Sequence, residues 1–233
     1  MSRDWLALRL EAPLMAFGGE AVDQVGPTRT YPGTSLLAGL LANALGWRWG
    51  DFEAHRTLQD RLVWAAAILR DGRRITDSQN ARLYEDDAGW TTRGVPEGRK
   101  PSPSYGARDA TGRKFLTHRR QRDYLADAAV LVVLTLNGEG TPMLDDLARA
   151  LDRPARPLFI GRKPCLPATR LLVGQVAAPT AHAALLALDA GGALAVWPQG
   201  EGPEGDRLLD LADLRNWATG LPGGSRRVVE GRL

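Results

Sequence analysis

The chain has 233 residues, 44% hydrophobic and 24% charged, with a formal net charge of +3. That apolar share is ample for a packed core and excludes a disordered chain. The only cysteine, Cys165, excludes an internal disulfide framework and fits a reducing, cytoplasmic setting. No apolar run reaches about 18 residues and Met1-Ser2-Arg3-Asp4-Trp5 lacks a signal-peptide layout, so no membrane partner is expected.

In chain order, residues 5–10 read as an apolar strand that ends at Pro13, where ladder pairing stops. Gly18-Gly19 and Gly26-Pro27 frame a loop. Leucines 36, 37, 40, 41 and 45 fall at helical spacing, with Thr34 or Ser35 as the cap and Gly46 as the stop. Gly39 within that helix implies close packing. A short helix is expected near residues 53–60 and a strand near 62–70. Asp71-Gly72 then turns the chain into a hairpin through residues 73–76.

Residues 128–136 form a near-continuous apolar run, the pattern of a strand buried on both faces. Thr141-Pro142 opens a helix with proline in its first turn, running to about residue 151. Residues 156–164 read as a strand entering a basic glycine turn, and residues 171–174 as another strand. Residues 181–188 read as a short helix, 191–205 as turns, and 208–217 as a final helix. The fold class expected from this order is α+β: a ferredoxin-like, RRM-like antiparallel sheet with packed helices. Residues 1–150 would form that domain, and residues 151–233 a smaller, β-rich C-terminal extension packed on it.

Residues 93–122 stand apart. They hold nine Lys/Arg against Glu97 and Asp109, with three prolines, four glycines, Tyr105 and His118. No helical or strand periodicity is apparent before about Arg119. A solvated basic insertion between apolar segments is suited to gripping phosphates. Gly161-Arg162-Lys163 resembles a phosphate-binding turn, with glycine amides and two cations facing an anion. Residues 26–35 feed a helix N-terminus, where Arg29 can add charge and Tyr31 a stacking face.

No Walker A, GxGxxG or HExxH pattern occurs. His55, His118 and His182 have no ligand-like spacing with Cys165, so neither a metal nor a cofactor is expected. Cys165, between two prolines, reads as a small core residue. His118 beside Lys114 and Arg119 raises metal-independent RNA cleavage, which needs a base for the 2′-hydroxyl and a cation for the developing charge.

Four stretches together resemble the CasD family of CRISPR-associated RAMP proteins, from the Escherichia-type (subtype I-E) Cascade complex. They are Leu8-Arg9-Leu10-Glu11-Ala12-Pro13 through Gly18, and Gly26-Pro27-Thr28-Arg29 through Tyr31-Pro32 to Ala42. Arg122-Asp123-Tyr124-Leu125-Ala126-Asp127-Ala128 is the third, and Leu158-Phe159-Ile160-Gly161-Arg162-Lys163-Pro164-Cys165 the fourth. Leu14-Met15 departs from the family's commoner polar pair, and Leu83-Tyr84-Glu85-Asp86-Asp87 from its thumb element.

The resemblance implies a thumb inserted at about residues 74–119. It implies a non-catalytic subunit that binds the 5′ handle of CRISPR RNA and caps the complex. Its partners would be the backbone (CasC-type) and large (CasA-type) subunits, with target DNA engaged indirectly in antiviral defence. The RNA-binding residues expected here are Arg29, Tyr31, Tyr105, Arg108, Lys114, His118, Arg119, Gly161, Arg162 and Lys163. The alternative is a metal-independent endoribonuclease processing precursor CRISPR RNA, as in subtype I-C relatives, with Tyr31, Lys114 and His118 as catalytic candidates.

Overall fold

The structure, a computed structural model, describes residues 2–21, 24–84, 87, 91–92, 95–96 and 107–233. The chain divides into two compact units. The first comprises Met1–Glu20, Pro27–Ile75 and Asp123–Leu233, and the second Ala21–Gly26 and Thr76–Arg122.

In chain order the elements begin with β1 (Arg3–Glu11), β2 (Leu14–Met15), β3 (Val25–Gly26), α1 (Thr34–Ala44) and α2 (Phe52–Arg61). There follow β4 (Leu62–Arg70), β5 (Arg73–Tyr84), β6 (Thr91–Thr92), β7 (Val95–Pro96), β8 (Ala107–Arg108), β9 (Lys114–Ala126) and β10 (Ala129–Leu136). The last are α3 (Leu144–Asp152), β11 (Leu172–Ala178), α4 (Ala181–Leu186), β12 (Leu194–Pro198), β13 (Arg207–Arg215) and β14 (Pro222–Arg232).

The first unit is built on a seven-stranded sheet, ordered β11-β1-β10-β4-β12-β14-β13. Every neighbouring pair in it is antiparallel. The architecture is α+β, as expected. Within it β1, α1 and α2, β4, β10, α3 and β11 follow one another along the chain, and their strands lie side by side as β11-β1-β10-β4.

Strand β10 buries seven of its eight residues, which requires apolar cover on both faces. Val130, Val132 and Leu134 pack on one side with Leu37 and Leu41 of α1, Leu58 of α2 and Leu147 of α3. Leu131 and Val133 pack on the other with Trp5, Trp197 and Ala184 and Leu185 of α4. The alternation that makes a strand two-sided thus builds two cores from one run.

The second unit is a ribbon. Strand β9 pairs with β5, β8 pairs antiparallel to it through Ala107↔Phe115, and β3 runs parallel to it through Val25↔Gln121. Between its strands, Arg82 lies over the Phe115 ring at 4.8 Å and Arg113 over Tyr84 at 4.1 Å. Tyr84 and Phe115 are 5.7 Å apart.

Several sequence expectations are corrected. Residues 208–215 belong to strand β13 and Trp217 to the turn after it, not to a helix, because the strand finds an antiparallel partner in β14 (Leu209↔Val228, Leu211↔Arg226). The turn-rich stretch 191–205 contains β12, a central strand with buried Ala195, Val196 and Trp197. Residues 156–164 are irregular chain ending in a turn at Lys163-Pro164 rather than a strand, and Pro157 and Pro164 lack amide donors. Strands in the basic segment precede Arg119: the two-residue β7 and β8, then β9 from Lys114.

Helix α3 begins at Leu144, with Asp146 accepting from the Met143 amide at 2.8 Å, so Pro142 precedes it. Helix α1 is capped neither by Thr34 nor by Ser35. Its N-cap is Gly33, and the Thr34 amide and hydroxyl donate instead to Asp213 of β13 at 2.9 and 2.8 Å. Arg226 of β14 donates to the same carboxylate at 3.1 Å and lies over Trp64 at 4.2 Å. A buried ion pair from the C-terminal hairpin therefore holds the start of α1.

Candidate nucleic-acid interface

In the first unit a cleft of about 310 Å³ opens beside α1. Its wall includes Phe17 and Gly18, Leu36 and Gly39, Phe159, Gly161 and Arg162, and Arg215 with Trp217. Three of the four family-like stretches meet here. Backbone bonds join them: Ala16 N to Ile160 O at 3.3 Å, and Arg29 N to Gly18 O at 2.8 Å. The Phe17 amide donates to the Thr28 hydroxyl at 2.9 Å.

Gly161 has φ of +86° and packs so closely that a Cβ would overlap the Ala16 carbonyl oxygen. Glycine is required there to bring the basic turn against residues 16–18. Arg162 is aimed by its own contacts, donating to Asp123 O at 2.9 Å and lying 4.7 Å over Tyr124. Lys163 is exposed on the same turn. Cys165, 1% exposed, accepts no role in the wall; burial pushes its thiol pKa up, as for a packed core residue.

Arg29 sits half-buried, and its guanidinium donates to the Ala212 carbonyl of β13. Tyr31 corrects the stacking expectation. Its ring is 7% exposed and belongs to the main core, so it presents no face to a base. Burial, reinforced by nearby Glu230, drives its hydroxyl pKa well above the ordinary tyrosine value, which makes it a poor base at neutral pH.

In the second unit, β9 carries Lys114, His118, Arg119, Arg120 and Arg122. Side chains alternate along a strand, so Lys114 and His118 share a face and Arg119 points to the other. Four strand steps carry the backbone about 13 Å from Lys114 to His118 at 3.3 Å each. Arg119 and Arg120 are exposed. Arg108 is exposed and its guanidinium closes the β8–β9 turn on the Gly112 carbonyl at 2.6 Å. Asp109 orders the same turn by accepting from Thr111 N at 2.9 Å and Arg113 N at 3.0 Å. Those bonds, the Thr111 hydroxyl first, hold its carboxyl below the usual aspartate range. Tyr105 lies outside the described residues.

Sequence reasoning missed Phe17, Phe159, Arg215 and Trp217 as wall residues. Trp217 and Arg215 reach the cleft only through the β13–β14 pairing, which no local pattern announces. Among the described residues no group of His, Cys, Asp and Glu could hold a metal ion, and no helix is long and apolar enough to cross a membrane.

The first unit is an antiparallel α+β sheet with a cleft walled by Arg162 and Arg215. The particular family follows from comparison: the chain belongs to the CRISPR-associated protein (Cas_Cas5) family, which it matches over residues 5–229. It is 28% identical over 187 residues to the CRISPR system Cascade subunit CasD of Escherichia coli (strain K12), covering 79% of this chain and 76% of that protein. The fold is similar to a chain of a CRISPR RNA-guided surveillance complex, with a TM-score of 0.67 at 22% identity over 98% of this chain and 89% of that one. A solved Cas protein is similar with a TM-score of 0.61 at 26% identity, over 98% and 94% of the two chains. The family resemblance read from the four stretches is thus borne out.

Proposed function

We propose that this chain is a non-catalytic subunit of a CRISPR surveillance complex that holds the 5′ handle of the CRISPR RNA and caps the assembly. Its protein neighbours are then a backbone (CasC-type) and a large (CasA-type) subunit, and target DNA is engaged through the RNA. The observation that carries this reading is the cleft, where three family-like stretches converge on Gly161 and Arg162 between apolar walls. A splayed single-stranded nucleotide needs that combination: cations for its phosphate and an apolar surface for its base. The β-α-β-β-α-β order of the first unit supports the ferredoxin-like, RRM-like assignment. The basic ribbon, residues 76–122, is read as the inserted thumb, and Arg108, Lys114, His118 and Arg119 as its contacts to the RNA backbone.

The endoribonuclease alternative is weakened by the burial of Tyr31. The test is binding and integrity of labelled precursor CRISPR RNA in EDTA, comparing the native chain with the doubly substituted Lys114→Gln/Arg119→Gln protein. The RNA stays intact, and loss of two single-strand phosphate contacts lowers the salt slope by about 1.4. Site-specific cleavage, or a slope unchanged in the variant, would overturn the reading.

A further inference from the structure

Half-buried arginines in the first unit are answered by oxygen. Arg3 donates to Asn137, Arg61 to the carbonyls of Asn137 and Pro142, Arg162 to Asp123 O, and Arg226 to Asp213. Arg215 is the exception. Its guanidinium lies 5.0 Å from the Trp49 ring centroid and 5.5 Å from that of Trp217. Its Nε is buried with no acceptor, as are Arg3 Nε and Arg226 Nη2, but unlike those two it pairs with no carboxylate among the described residues. A cation removed from water against rings alone carries a desolvation cost that an incoming anion relieves.

The clamp is preorganised. Gln59, 5% exposed, accepts from the Arg215 amide at 3.1 Å and from Trp217 Nε1 at 3.2 Å, and donates to the Arg215 carbonyl at 3.1 Å. His55 packs against Trp217 with ring centroids 4.6 Å apart. Trp49 remains 41% exposed, so the clamp is open to solvent. Arg215 and Trp217 also line the cleft that holds Gly161 and Arg162, and no acidic residue shares that wall. The missing partner is therefore anionic and arrives beside an apolar surface, which describes a nucleotide better than an acidic peptide.

We propose that Arg215, held between Trp49 and Trp217, is a phosphate-binding residue that fixes one nucleotide of a single-stranded RNA with its base in the cleft. This rests on the RNA-holding role given above and adds a residue outside the four family-like stretches. A planar guanidinium can stack on indole and present its edge to phosphate at once, which lysine cannot do.

The test uses the full chain and a labelled single-stranded RNA of the repeat-derived 5′ segment, titrated across salt concentrations. Arg215→Gln weakens binding roughly tenfold and lowers the salt slope by about 0.7, the share of one single-strand phosphate. Arg215→Lys keeps the slope and recovers only part of the affinity. Thermal melts of both variants that match the native chain assign the loss to the contact. Absence of binding by the native chain overturns the RNA-holding reading and this inference together. Native binding that Arg215→Gln leaves within twofold overturns this inference alone. So does a variant that keeps RNA affinity but loses co-purifying subunits, since the clamp would then serve a protein carboxylate.

Discussion

Strands β9 and β10 are consecutive in the chain and opposite in physical character. β10 is apolar on both faces, and each face has its own helical cover. The ribbon portion of β9 leaves Thr117, Arg119, Arg120 and Gln121 exposed, and its partner β5 exposes residues 76–82. The first unit is held by hydrophobic burial and by a buried ion pair. The ribbon is held by ladder hydrogen bonds, turn-ordering Asp109 and arginine–aromatic stacking, which need little core. The ribbon's exposed cations are thereby positioned without being buried.

The sharpest way to break the comparison is to remove Asp213. Asp213→Ala strands Arg226 in the interior and releases the Thr34 amide, and loss of one partner of a buried pair costs about 3–5 kcal/mol. A thermal or denaturant melt reads it, and a change under about 1 kcal/mol would mean that the pair does not hold α1. Next, Leu134→Ala, at 0% exposure, should cost about 3 kcal/mol, whereas Thr117→Ala in the ribbon should stay within about 0.5 kcal/mol. Equal costs in the same melt would erase the distinction between the strands.

The smallest effect is a pH dependence in the ribbon. Asp109 has a lowered folded-state pKa, so its contribution is present above the ordinary aspartate value and is lost as pH falls through the lowered one. Amide exchange at Thr111 and Arg113 should accelerate over that acidic window. Protection that does not change there would sink the turn-ordering role.

How much was legible in the sequence follows the range of the forces involved. β1, α1, α2, β4 and β10 announce themselves because their periodicity or apolar run is local. β13 does not: Leu208, Leu209, Leu211 and Leu214 satisfy helical spacing as well as strand pairing, and only β14 decides between them. β12 hides between glycine-rich turns because five residues suffice when both neighbours are already in the sheet. Tyr31 looked like a loop aromatic, since its burial depends on the distant C-terminal strand that carries Glu230. The convergence of residues 16–18 with Gly161 was legible only as a resemblance. Arg215 was not legible at all, because Trp49 and Trp217 lie far apart in the chain and meet only once the sheet is complete.

The position of β14 between β12 and β13 also has a consequence for the order of synthesis. Strands β1, β4 and β10 have all emerged by residue 136 and can pair while the ribosome is still working. β13 emerges before the strand that attaches it, and it carries the carboxylate that α1 requires. A nascent chain therefore holds a half-capped helix and an incomplete cleft until residues 222–232 appear. Under the proposed RNA-holding role, the wall that would receive the nucleotide is complete only once residues 222–232 are paired.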